Sequence, residues 1–303
     1  MTTQQRHQVF TDEQWARIEP LLPSNTGKRA RPFENNRRIV EGIVYRYLAG
    51  IAWRDLPREH FGPGQTVWKR HRRYAADDTW DRVLAHVLSD ADAAVDIDWN
   101  VSIDGTVNRA HQHATNTTRP DQTKGATSNY KNLPDQECEP AGHGIGRSRG
   151  GLTTKIHHAV DSRGRPLAVV ITGGQRHDGV ILLQVLADIR VPRSGGGRVR
   201  TRPDAVLTDR AYGSRGNCDY LRLRGIRAVI PEKKDQIATR KKRGSKGGRP
   251  PAFDAGAYRN RNVVERSFAY VKQWRGLATR YDKLAITYRA AVVISAMLTW
   301  LRR

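Results

Sequence analysis

The sequence predicts a mixed α/β domain behind a small all-helical one, and three observations lead there. Beyond residue 98, apolar runs of strand length alternate with amphipathic stretches in the order β-β-β-α-β-α-β-α, which calls for a mixed sheet with helices on its faces. Before residue 98, apolar residues recur mainly at helical spacing. The charge changes at the same point: residues 1–98 carry 15 basic and 14 acidic side chains, whereas 99–303 carry 38 and 16. The expected division is therefore 1–98 and 99–303, with an acidic helix or connector over 77–98.

In the first part, Thr11 is the expected N-cap of a helix that opens with Asp12 and Glu13 and buries Trp15, Ile18 and Leu22. Residues 35–48 put Ile39, Ile43, Val44 and Tyr47 on one stripe and leave Arg37, Arg38 and Arg46 off it, with Gly50 closing the helix. After the turn Phe61-Gly-Pro-Gly64, Thr66 is the expected cap of a helix that carries Lys69, Arg70, Arg72 and Arg73 around Trp68 and Tyr74. Three helices ending in a basic one resemble a helix-turn-helix reader of DNA. An ordinary bundle with a solvated basic face fits the same pattern.

In the second part, strands are expected over 101–104, 152–160, 166–172, 205–209 and 227–230, the second and third pairing across the turn Asp161-Ser-Arg-Gly164. Helices follow over 179–189, 214–224 and, as one long rod, 255–276. Loop insertions are expected at 110–150, 190–204 and 232–253. The last helix, 284–301, is apolar on most faces and reads as core or dimer contact.

The net charge is +23, which favours a polyanionic partner. The longest nearly apolar run, Ala290 to Leu301, is too short to cross a bilayer, and the first residues lack an apolar signal core. Cys138 and Cys218 form no C-x-x-C pair, which argues against a disulfide scaffold or a thiolate zinc site. These features predict a soluble, cytoplasmic protein that binds nucleic acid, without a membrane or a small-molecule substrate.

Two acids sit at expected strand ends, Asp104 and Asp209, where α/β proteins bind ligands. Asp at a strand end is also a common turn former. On the expected long helix, Tyr258, Arg261, Glu265 and Lys272 fall at offsets that share a wedge of roughly 60° and a strip about 21 Å long. Val263, Val264, Phe268 and Val271 occupy the adjoining arc and would pack on the sheet. The strip suits a site for metal and phosphate, and equally a solvated charge stripe.

Residues 258–272 spell Y-x2-R-x3-E-x6-K without a gap, and this resembles the signature of DDE transposases of the bacterial insertion sequence 5 family. IDGTVNRAHQHA (103–114), GRSRGGLTTKIH (146–157), TGGQRHD (172–178), TDRAYGS (208–214) and WRGLATRYDKLAITY (274–288) also resemble family blocks, in order, over essentially the whole chain. The resemblance implies a ribonuclease H-like catalytic fold with Asp104, Asp209 and Glu265 as catalytic and metal-holding triad. It implies two Mg²⁺ ions per site, with Mn²⁺ as a substitute. Tyr258, Arg261 and Lys272 would then contact DNA. The partners implied are double-stranded DNA, as element ends and as target, and a second copy of the chain, in a homodimer or higher synaptic complex. The implied activity is cleavage at the element ends to free a 3′-hydroxyl, followed by strand transfer.

Two other readings remain open: a catalytically silent transposase-derived repressor, and another ribonuclease H-like nuclease. Among the remaining residues, His177 and Asp178 are candidates for support of the site or for DNA contact, against a simple helix cap by Asp178. His111, His113, His157 and His158 read as surface or strand histidines, because a hard Mg²⁺ site does not need imidazole. Arg249 lies in a Gly-Arg-Pro stretch resembling minor-groove inserts, and a flexible basic loop tracking phosphates explains it as well.

Overall fold

The computed structural model of the protein describes residues 8–24, 35–115 and 143–302. α1 (Asp12–Ile18) begins with a reciprocal capping box, in which the Thr11 hydroxyl accepts from the Gln14 backbone N–H while the Gln14 side chain accepts from that of Thr11. α2 (Asn36–Ala49) is capped by Asn35 and ends at Gly50, whose φ of 71° is the left-handed conformation that a residue without Cβ adopts at least cost. α3 (Gly64–Ala76) starts two residues before Thr66, with Pro63 in the N-cap place, so Thr66 is not the cap that the sequence predicts. α4 (Thr79–Ala93) occupies the acidic segment.

Arg46 also departs from expectation, for it is buried on α2. Its guanidinium lies over the rings of Tyr47 and Trp53 and 3.6 Å from the Asp282 carboxylate, which makes burial tolerable.

The strands form one seven-stranded sheet. β1 (Asn100–Ala110) pairs antiparallel with β3 (Gly151–Val160), and β3 pairs antiparallel with both β2 (Gly146–Ser148) and β4 (Pro166–Gly173). On the other side β1 runs parallel to β5 (Ala205–Leu207), and β5 parallel to β6 (Arg227–Val229). α5 (Asp178–Asp188) connects β4 to β5, and α6 (Arg215–Leu223) makes the β5–β6 crossover. The short β7 (Thr279–Arg280) pairs with the end of β1.

The segment 232–253 is not wholly loop: it holds α7 (Lys234–Lys242), anchored by the Gln236 amide to the Gly213 carbonyl and by an Arg240–Glu232 ion pair. Most of the expected insertion 110–150 lies outside the described residues. The long helix over 255–276 is broken into α8 (Ala255–Tyr258), a 3₁₀ turn (Arg259–Asn262) and α9 (Val263–Gln273). Ala257 and Tyr258 pack on the Ala205–Leu207–Val229 cluster, whereas Val263, Val264 and Phe268 pack on Val160. Docking on two different parts of the sheet requires a tightened turn between them.

α10 (Ala285–Leu301) is core, with thirteen of its seventeen residues buried. It packs against β4, α2, α3 and α4, so one hydrophobic cluster runs from Phe10 to Leu301 through the helical region and the sheet. The acids of 77–98 serve the same junction. Asp81 receives two bonds from Arg289 (2.8 and 2.9 Å), and Asp96 pairs with Arg163 and Arg165.

Three of the buried histidines among the described residues are held neutral. Burial lowers His71 to about 4 and His157 and His158 each to about 3. Each gains a proton on unfolding below its ordinary value of about 6.5, so each withdraws stability as the pH falls from there toward its folded value. His158 stacks on Phe268 and bonds the Ser267 hydroxyl (3.1 Å). His158→Asn should therefore lose on the order of 2 kcal/mol less stability than the parent between pH 6.5 and 4.5. Urea unfolding at the two pH values checks this, and equal losses would contradict it.

Candidate active site

The sequence places Asp104 at a strand end, but β1 continues six residues further because its antiparallel bonding with β3 runs on to Arg109. What ends near Asp104 is the parallel neighbour. Ser102 is level with Leu207, the last residue of β5, so Asp104 and Asp209 each lie two residues beyond the paired level. That level is the carboxyl end of the parallel strands, where ligands of α/β proteins bind. Asp209 also caps a 3₁₀ turn, accepting from the Ala211 N–H at 2.8 Å. Asp104 accepts from the Gly105 N–H at 2.8 Å.

α9 carries the third carboxylate. Its apolar face, Val263, Val264 and Phe268, is held on the sheet, which leaves Glu265 and Lys272 exposed on the other side. Arg261, in the 3₁₀ turn, reaches across to Asp104 and bonds Glu265 Oε1 at 3.1 Å with its other terminal nitrogen. The family resemblance implies DNA as the partner of Arg261, and the structure pairs it with two of the three acids.

Burial raises the Asp104 carboxyl to about 6 against the opposing pull of Arg261, and the charges of Asp209 and Glu265 push in the same direction as burial. Three mutually repelling carboxylates with hard oxygen donors are a suitable set for a divalent cation. As they stand, no three acids, histidines or cysteines among the described residues converge closely enough to enclose one. The Arg261 guanidinium supplies positive charge to Asp104 and Glu265 in that arrangement.

Behind Asp104 lies a cluster that sequence reasoning only touched. A Cβ at Gly105 would come 2.6 Å from Asp178 Oδ1 and 2.9 Å from His157 Nδ1, so only glycine lets β1 pass so close. Asp178 pairs with the buried Lys155 ammonium (3.1 Å), which also donates to the Arg176 carbonyl (2.9 Å). His177, not Asp178, caps α5: its Nδ1 accepts from the Gly179 N–H. Tyr212 is buried beside these acids, and burial together with the charges of Asp178, Asp104 and Asp209 keeps its hydroxyl protonated. The signal for it was present in the TDRAYGS block.

The other predicted residues scatter. Tyr258 is half-buried against Phe253, with ring centroids 5.3 Å apart. Lys69, Arg72 and Arg73 are exposed on α3, but Arg70 is buried and bonds Asn36 Oδ1 (2.7 Å) and the Tyr74 hydroxyl. The reason is helical phase: 67, 70, 71 and 74 share the face that packs inward, so Arg70 is removed from the expected DNA contacts. Arg249 is exposed after α7.

A mixed sheet with helices packed on it, with Asp104 and Asp209 just beyond the paired ends of its parallel strands, defines an α/β architecture. Residues 98–300 match the family model described as "Transposase DDE domain", and residues 10–84 match "Putative transposase of IS4/5 family". The chain belongs to the DDE transposases of the IS4/5 type and is a transposase of the insertion-sequence class. That family uses divalent metal and acts on DNA, and it implies a ribonuclease H-like fold. Similar proteins include "Putative transposase for insertion sequence element IS402" of Burkholderia cepacia, 32% identical over 50% of this chain and 64% of the relative. The "Putative transposase for insertion sequence element IS6501" of Brucella ovis is 28% identical over 50% of this chain and all of its own length. No solved structure matches. No helix among the described residues is long and apolar enough to cross a membrane.

Because a guanidinium pairs with two of the acids, Arg261→Ala should bind Mn²⁺ several-fold more tightly than the parent when DNA is absent. Isothermal calorimetry measures this directly, and unchanged or weaker affinity would show that Arg261 does not compete with the ion.

Proposed function

We propose that this transposase binds the terminal inverted repeats of its own element, cuts there to free a 3′-hydroxyl, and joins that hydroxyl to target DNA. The observation that carries the reading is the register that sets Asp104 level with Asp209 beside an α9 helix bearing Glu265. Asp104, Asp209 and Glu265 are the residues that would hold Mg²⁺ or Mn²⁺. Two such ions, when bound, stabilise charge on the attacking and leaving oxygens. Arg261 would leave the carboxylates for a DNA phosphate as the ions take its place, a bidentate role that its planar fork suits. Tyr258 flanks it on α8.

Lys272 lies seven residues after Glu265 in the same helix, about 10 Å along the axis, which is too far to meet the same ion. Its ammonium is suited to a phosphate as a point charge. Residues 1–98 are the DNA-end-binding part and 99–303 the catalytic part on this reading, with Lys69, Arg72, Arg73 and Arg249 as backbone contacts. Lys155, Asp178 and His177 hold the floor beneath Asp104. A homodimer or larger complex would bring two element ends together.

Glu265→Gln should bind the ends normally yet fail to cleave at any DNA concentration. Lys272→Ala should bind more weakly, with the salt dependence reduced by about one counterion, and should regain part of its cleavage at high DNA concentration. Single-turnover cleavage of the inverted repeats flanking the reading frame, over a DNA titration in Mg²⁺, separates the two. If Lys272→Ala stays as inactive as Glu265→Gln at saturation, the division of roles is wrong.

A further inference from the structure

A cavity of about 760 Å³ opens far from the carboxylates, where the helical region meets the ends of β1 and β7. Its volume falls within the range of small-ligand sites. Asp104 lies seven residues before His111 on the wall, roughly 23 Å away at strand rise. The walls are half-buried aromatic rings: Trp53 and Trp68 from the helical region, and Tyr281 with His111 from the sheet side. The Tyr281 and His111 rings are in tilted contact, with centroids 4.6 Å apart at 33°. The rim carries the exposed cations Arg72 and Lys283, Arg72 lying over the Trp68 ring.

Arg46 forms part of the wall and is 4% exposed. Among the described residues its Nε and Nη1 have no hydrogen-bond acceptor, and its ion-pair partner Asp282 is shared with the Tyr47 hydroxyl (3.1 Å). Asp282 also lines the cavity, so three cations, Arg46, Arg72 and Lys283, face one carboxylate there. Flat π-faces with cations at the mouth and beneath fit a planar aromatic ring attached to an anion. An aliphatic or acidic peptide would leave the rings without stacking partners. The basic helix α3 supplies one wall through Trp68 and Arg72, so the cavity opens on the face proposed to meet DNA.

We propose that this cavity binds a nucleobase with its phosphate, taken from an unstacked base of bound DNA or from a free nucleotide. The DNA source rests on the DNA-binding reading above.

The test uses the full chain and two arms. In the first, a 20-base-pair duplex with a single bulged 2-aminopurine is compared with the same duplex fully paired. The bulged duplex should bind about tenfold more tightly, the size of one base–aromatic stack, with 2-aminopurine emission quenched. In the second, deoxyguanosine 5′-monophosphate is titrated while tryptophan emission is followed. Trp68→Leu and Tyr281→Leu, which keep apolar bulk but remove the π-face, should abolish the bulge preference or the nucleotide quenching. Affinity for paired duplex should stay within about twofold. Circular dichroism confirms folding of each variant. A bulge preference identifies DNA as the source, and quenching by the nucleotide alone identifies the free ligand. Equal binding of both duplexes with no response to the nucleotide overturns the proposal, as does a preference that survives both substitutions. Failure to bind any duplex would instead refute the DNA reading, and the nucleotide arm alone would then decide the cavity's ligand.

Discussion

Burial of α10 is the packing event on which the rest of the molecule depends. Tyr288, Val292, Val293, Ile294, Met297, Leu298, Trp300 and Leu301 are all removed from water. Each large aliphatic or aromatic side chain buried this way contributes roughly 1.5–3 kcal/mol against an exposed reference. Because that surface is shared among β4, α2, α3 and α4, the helical region cannot separate from the sheet without exposing it. The chain boundary near Asp98 is therefore a change of secondary structure and charge, and the core crosses it. Arg289 strengthens the junction by donating to Asp81, Asp188 and the Val169 carbonyl at once.

A shared core has a consequence for the active site. β1 is held on one side by β3 along most of its length and on the other by β5 over three residues. The unequal pairing leaves β1 without its β5 neighbour beyond Ser102, and Asp104 stands there in mid-strand. Burial, with the charges of Asp209 and Glu265 acting in the same direction, raises the Asp104 carboxyl. Arg261 opposes that rise in the ligand-free arrangement.

The elements with strong local signals were legible. The Thr11 cap, the stripe on α2, the turn at Asp161–Gly164 with its β3–β4 hairpin, and the apolar final helix all follow from spacing and turn chemistry. The Y-x2-R-x3-E-x6-K spacing and the ordered blocks were enough to point to the family that the comparisons show. Errors fell where burial on another element overrode local pattern. Arg46 and Arg70 look like solvated cations in sequence, yet each sits on the inward phase of its helix. The helix over 255–276 has an unbroken pattern, but its two halves dock on different strands and the turn between them tightens.

The sequence by itself determined the family: its ordered blocks, the Y-x2-R-x3-E-x6-K spacing and a charge balance suited to DNA. These are one-dimensional properties of residue type and spacing. Tertiary structure alone decided what each of those charges faces. Asp104 is level with Asp209 because a parallel register aligned Ser102 with Leu207, over a hundred residues away. Arg261 meets Asp104 from 157 positions distant, and Trp53 meets Tyr281 across a cavity walled by both ends of the chain. Such pairings depend on loop closure and packing between remote segments, and no local propensity encodes them.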